Sequence, residues 1–198
     1  PMSLIKISTM SGKLKGIPAI NTNTLSNEFC TKSASKGDNI CGVCYSRSML
    51  STYRGNCVPP FEHNSRILSG DIIPVQYLPI FNAVAVRFHG HGELINDTHL
   101  INFFNICLKN PRVTFTLWTK RTSIIKSVLK WYPKPENIIL IFSNAKIDKV
   151  IKPGKFYDKT FNNVSTSTKA INCNMDCIDC MKCYNPTDKT SVIIEKVK

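Results

Sequence analysis

The sequence predicts an α/β fold around a mostly parallel sheet, and three observations lead there. From Val84 onward, short runs rich in β-branched and aromatic residues alternate with stretches of helical periodicity, the pattern of successive βαβ units. The length of 198 residues suits a single domain, assigned to residues 2–198, because domains commonly span roughly 100–200 residues. No window approaches the ~18 consecutive apolar residues of a membrane helix, so no membrane partner is expected.

The elements follow in order. Residues 1–29 read as an irregular arm with one short strand at Leu4–Ser8, and a loop-rich cysteine segment spans residues 30–57. Ala83–Phe88 reads as a strand. A helix from Asp97 to Lys109 follows, with Asp97 as N-cap and Leu100, Phe103, Phe104, Cys107 and Leu108 on one apolar stripe. Asn110-Pro111 stops it, and Val113–Trp118 returns as a second strand. Thr122–Trp131 forms another helix, with Ile124, Ile125, Val128 and Leu129 together, until Tyr132-Pro133 ends it. Ile138–Phe142 is the third strand. After Lys146 the chain is polar and lysine-rich up to a second cysteine segment, residues 173–183, and Ser191–Val197 reads as a last strand. Ligands of such sheets collect at the carboxyl ends of the strands, here the segments starting at His89, Thr119 and Ser143.

Charge and cysteine content narrow the partners. With 26 basic against 13 acidic residues the net charge is +13, enough to attract nucleic acid through its phosphates. A lysine-, isoleucine- and asparagine-rich composition, as AT-rich coding sequences produce, yields the same excess without that role. The amino-terminal stretch carries no apolar run of signal-peptide length, which predicts a cytoplasmic setting. In that reducing compartment nine cysteines point to metal or redox chemistry ahead of disulfides.

The cysteines fall into two groups. Cys173-x3-Cys177-x2-Cys180-x2-Cys183 places four thiols within eleven residues, so one short loop can converge on one metal centre with little entropy lost on ordering. Such consecutive short spacings resemble cluster loops of ferredoxin type, whereas zinc ribbons pair two knuckles across a long insert. Iron–sulfur is the first reading and zinc the alternative. The second group is Cys30-x10-Cys41-x2-Cys44-Tyr45. Three thiolates on a four-iron cluster leave one iron open to a small molecule, and recruitment of Cys57 would close the set. The two groups hold two clusters or meet at one. Cys107, on the apolar face of its helix, reads as core, and so do Trp118 and Trp131. His89 and His91 flank Gly90 at a strand end, as metal or proton-handling residues or simply as turn residues. No phosphate-binding Gly-rich loop or nucleophile elbow is present.

Taken in order over residues 14–184, four segments resemble the bacteriophage gene product 88 family. They are the Cys30 to Tyr45 motif, Arg87-Phe88-His89-Gly90-His91-Gly92-Glu93-Leu94, Trp118-Thr119-Lys120-Arg121, and Cys180-Met181-Lys182-Cys183-Tyr184. That family is similar in layout to radical S-adenosylmethionine proteins, although the spacing after the first cysteine is ten and then two here, and three and then two there. The resemblance implies a partial (β/α) barrel with cysteine-rich loops at both ends, a phage or viral protein of the host cytoplasm or the virion, and one or two 4Fe-4S clusters. It further implies S-adenosylmethionine beside Gly92 and Glu93, where a glycine allows close backbone approach and a carboxylate accepts from an ammonium. Lys120 or Arg121 would meet the cofactor's carboxylate.

Overall fold

A computed structural model describes residues 3–197. Its centre is one sheet of six parallel strands lying side by side in sequence order: β1 Ala19–Ile20, β2 Ala85–Phe88, β3 Thr114–Thr119, β4 Ile138–Ile147, β5 Lys159–Val164 and β6 Val192–Lys196. Helices α1 Glu28–Ala34, α2 Tyr45–Ser51 and α3 Val58–Ser69 lie between β1 and β2. The others are α4 Asp97–Lys109, α5 Thr122–Val128 and the single turn α6 Cys177–Cys180. β1 and β6 each pair with one neighbour, so the sheet is open and not closed into a barrel. Among the described residues no helix is long and apolar enough to cross a membrane.

The period of two along the strands sorts the side chains into two cores. Val86 and Phe88, Phe115 and Leu117, Ile138 and Leu140 face α3, α4 and α5 in the larger core. Its centre is a stack in which the Phe88 ring lies 4.0 Å from Phe103 and 5.0 Å from Phe115. The intervening residues Ala85, Trp118, Ile139 and Ile141 form a smaller core on the other face with Ile17 and Tyr184. No helix of the βαβ units covers that face. The amino-terminal arm and the second cysteine segment lie there instead, and that asymmetry makes room for a cavity.

Several boundaries differ from the sequence reading for physical reasons. Asn96, not Asp97, caps α4, its side chain accepting from the His99 amide. Asp97 instead accepts from the Ser127 hydroxyl at 2.5 Å, tying α4 to α5. Leu108 is 57% exposed, so the apolar stripe ends at Cys107, which is fully buried. Trp131 lies beyond the end of α5 and is 64% exposed, whereas Trp118 is core. In place of a strand at Leu4–Ser8 there is a single antiparallel bridge from Ser8 to Ala19. The segment 30–57, read as loop-rich, holds most of α1 and all of α2, and α3 begins directly after it. Pro59 and Pro60, which look like breakers, sit in the first turn of α3, where no intrahelical N–H is required. β5 escaped notice because it buries Lys159, Thr160, Asn162 and Asn163 in place of an apolar run. Its Asn162 accepts from the Asn144 side chain and the Ile151 amide and donates to the Ile151 carbonyl.

Candidate functional site

A cavity of about 760 Å³ opens on the face of the sheet that carries Arg87 and Trp118, with α2 and α3 contributing Tyr45, Met49 and Phe61 to its wall, within the ~300–1,000 Å³ typical of small-molecule sites. Cys41, Cys44 and Cys57 line it together with Cys173, Cys177 and Cys183, whereas Cys30 and Cys180 are not among its lining residues. Two thiol groups from opposite ends of the chain therefore share one chamber.

The first group is assembled by helix starts. Cys30 lies in α1, whose N-cap Asn27 accepts from the Cys30 amide. Cys44 is the N-cap of α2, and the Asn39 side chain accepts from the Cys41 amide. The three thiols lie near enough to feel one another's charge, together with Glu93 and Lys120. Burial, reinforced by Glu93 and Cys44, pushes the Cys30 thiol up to about 12, and burial also raises Cys41. Lys120 pulls both the other way. Cys57, by contrast, packs against Met49, Leu50 and Phe61.

Glu93 is fully held by its own chain. One carboxylate oxygen accepts from the Thr119 hydroxyl at 2.5 Å and the Leu94 amide at 2.8 Å, the other from the Lys120 amide at 2.8 Å. Burial pushes the carboxyl above its ordinary range, opposed by the Lys120 ammonium and by these donors. Of roughly four lone-pair positions three are used, leaving one for a ligand. The Lys120 ammonium donates to the Ser143 hydroxyl at 2.9 Å and lines the cavity. Arg121 turns away: it donates to the Leu94 carbonyl at 3.0 Å and lies 4.9 Å over the Phe29 ring. Gly92, at φ +102°, has a reason internal to the fold, since a Cβ there would fall 2.7 Å from the Thr22 carbonyl oxygen. It lets the turn after β2 lie against the end of β1.

The second group is a loop braced by cations. Asp176 caps the α6 turn that carries Cys177 and Cys180. Cys173 feels the charge of Cys180, Cys177 that of Cys173, and Cys183 that of both Cys173 and Cys177. Burial raises all three and takes Cys183 to about 12. Lys13, from the amino-terminal arm, donates to the Cys173 sulfur at 3.2 Å, to its carbonyl at 2.9 Å and to Glu195 at 2.5 Å. Burial alone would lower Lys13, but Glu195 and Cys173 outweigh it and raise it to about 12. Arg87 lies near Cys177 and Cys183 and 3.8 Å over the Trp118 ring. Sequence reasoning assigned neither cation to this site. For Arg87 there was a signal, a lone charge inside the apolar run Ala85–Phe88.

Among the described residues no group of three or more His, Cys, Asp or Glu side chains is arranged to hold a single metal ion. The histidines do not supply one. His89, at φ +62°, packs edge-on against His99 and Phe103, and burial lowers it to about 3. His91 stacks between Tyr45 and Phe61, and burial lowers it to about 4. Both are neutral packing residues near pH 7.

No curated protein and no solved structure matches the chain. A family model does: gene product 88 matches residues 6–179, which include the whole first thiol group and, of the second, Cys173 and Cys177. The match covers most of the 198 residues, and the chain belongs to the phage gene product 88 family.

Proposed function

We propose that this phage protein is an iron–sulfur protein, with Cys30, Cys41 and Cys44 holding one four-iron cluster and Cys173, Cys177, Cys180 and Cys183 a second. The observation that carries the reading is that two thiol groups from opposite ends of the chain face one cavity. The donor sets fit. A cluster takes one thiolate per corner iron and so accepts thiols spread around a larger body.

In this reading the three-thiol group has an open iron, and the small molecule it takes is S-adenosylmethionine, as the likeness of the gene product 88 motifs to radical enzymes implies. The sequential strand order, with α4 and α5 on one face and the cavity on the other, is consistent with an open, partial barrel of that kind. When bound, the cluster would supply an electron for reductive cleavage of that cofactor. The chain's own part is positional. Glu93 offers its remaining lone pair to an ammonium, the Lys120 ammonium offers its charge to a carboxylate, and Tyr45, His91 and Phe61 supply an aromatic stretch of the wall. Arg121 stiffens the turn after β2 without reaching the ligand.

The test is anaerobic purification followed by iron, acid-labile sulfide and zinc per chain, with the visible spectrum. Iron and sulfide near four or eight, with broad absorption around 400 nm, support the reading. One or two zinc per chain without colour would replace it with structural zinc.

A second reading, nucleic-acid binding, draws on the rim. Tyr45 and Tyr53 are 62% and 67% exposed with their hydroxyls 3.3 Å apart, a surface on which bases can stack, on a chain of net charge +13. It requires binding that weakens steeply with salt. Absence of DNA and RNA binding at low salt removes it.

A further inference from the structure

We infer that the cavity contains an anion-binding site centred on Arg87, which takes a small molecule bearing a carboxylate or phosphate group. Its donors are those of Arg87 and not the thiols, although Arg87 also neighbours Cys177 and Cys183, two of the ligands proposed for the second cluster. Arg87 projects from the cavity face of β2, with its guanidinium carbon 3.8 Å over the Trp118 ring. The ring fixes the plane of the guanidinium and stiffens an otherwise flexible side chain. One of its five N–H donors is spent on the fold, Nε donating to the His89 carbonyl at 3.3 Å. Among the described residues no carboxylate lies within ion-pair distance of it. A half-buried guanidinium held flat without a partner is preorganised for an oxyanion, which it can grip through two parallel hydrogen bonds.

The surroundings favour the same ligand. Lys6, Lys13, Arg54 and Lys120 also line the cavity, and the carboxylates among its lining residues are Glu93 and Glu195. Both are already committed, Glu93 to three donors and Glu195 to Lys13. The unmatched charge is therefore positive, and a concave wall focuses it on whatever enters. The thiols of Cys177 and Cys183 and the hydroxyl of Tyr184 are the other polar neighbours of Arg87.

The experiment uses Trp118 as its own reporter. The chain has two tryptophans, and Trp131 is exposed, so Trp131→Phe leaves Trp118 as the single emitter in the full-length protein. Inorganic phosphate, adenosine 5′-monophosphate, succinate and adenosine are titrated separately, with iron and sulfide measured on the same samples. The inference requires a saturable change in Trp118 emission with at least one anion and none with adenosine. Response to the phosphates alone identifies a phosphate site, and response to succinate alone a carboxylate site. Arg87→Lys should weaken binding about tenfold and Arg87→Met about a hundredfold, as expected for charge-assisted bonds, with calorimetry confirming both. Absence of response to every anion overturns the inference. So does undiminished binding in Arg87→Met, or a variant that loses iron yet binds anion normally at matched loading, since Arg87 would then serve the thiols. A metal-free protein that still binds anion through Arg87 would retain this inference while removing the iron–sulfur reading.

Discussion

The two thiol groups reach the same cavity by opposite constructions. The first takes its three cysteines from α1, the loop after it and the start of α2, and sets them against Glu93 and Lys120 at the carboxyl ends of β2 and β3. The second gathers four cysteines on one short loop, ringed by cations from distant parts of the chain, Lys13 and Arg87. A group assembled from several elements, short of one ligand and beside a fixed carboxylate, is suited to receiving something. A four-thiol loop with its counter-charges around it is suited to holding what it has. The comparison teaches that ligand number and local charge divide the labour before any metal is considered.

The largest effect should come from removing one thiol at a time. Cys44→Ala is expected to abolish the iron and sulfide of the first group and spare the second, and Cys180→Ala the reverse. Loss of all iron in both variants would mean that the groups share one centre, and the comparison would collapse.

Acid should weigh on the first group's side of the molecule. His89, His91 and His99 are all held neutral, principally by burial, and none lies in residues 173–183. A histidine whose folded pKa is depressed binds its proton more readily when unfolded. Stability is therefore complete above the unfolded value near 6.5 and is lost as pH falls from there toward the folded values, about 3 and about 4 for the first two. By pH 5 His89 and His91 each cost roughly 2 kcal/mol, a large share of the ~5–15 kcal/mol of a typical domain. Thermal unfolding followed from pH 7.5 to 4.5 should show Tm falling throughout the acid half, and His91→Phe should flatten the curve. A Tm independent of pH would remove this account.

Smaller effects separate the two settings further. Glu93→Gln turns one acceptor into a donor facing N–H or O–H groups and should cost about 1–3 kcal/mol, read by urea denaturation. It should also weaken any ammonium-bearing ligand while leaving the second group's metal intact. Lys13→Met should cost less, under about 1.5 kcal/mol, because the Lys13–Glu195 pair is partly open to solvent, at 21% for each side chain. Its more telling readout is slower alkylation of Cys173 in the metal-free protein, because the thiolate loses the ammonium that favours it.

What the sequence revealed tracks how locally each feature is determined. The central βαβα units were legible because Leu100, Phe103, Phe104 and Cys107, or Ile124, Ile125 and Val128, repeat with helical period between apolar runs. β5 was not, because Asn162 and Lys159 are buried through partners on distant segments, such as Asn144 and Asp188. α3 was hidden by its prolines. At the site, the thiol spacings and Glu93 were legible, being local motifs. The turn of Arg121 toward Phe29, the need for Gly92 against Thr22, and the bracing of Cys173 by Lys13 depend on contacts across the fold that no spacing encodes.

The bond from Lys13 to Glu195 spans 182 residues, whereas every pairing within the sheet joins consecutive strands. Strands can thus be added one after another as the polypeptide emerges, each closing only a short loop. The chamber has no such incremental history, because one wall comes from the arm ahead of β1 and another from β6 at the far edge of the sheet. Whatever the cavity receives, metal or small molecule, meets its complete set of contacts only after the final strand has docked.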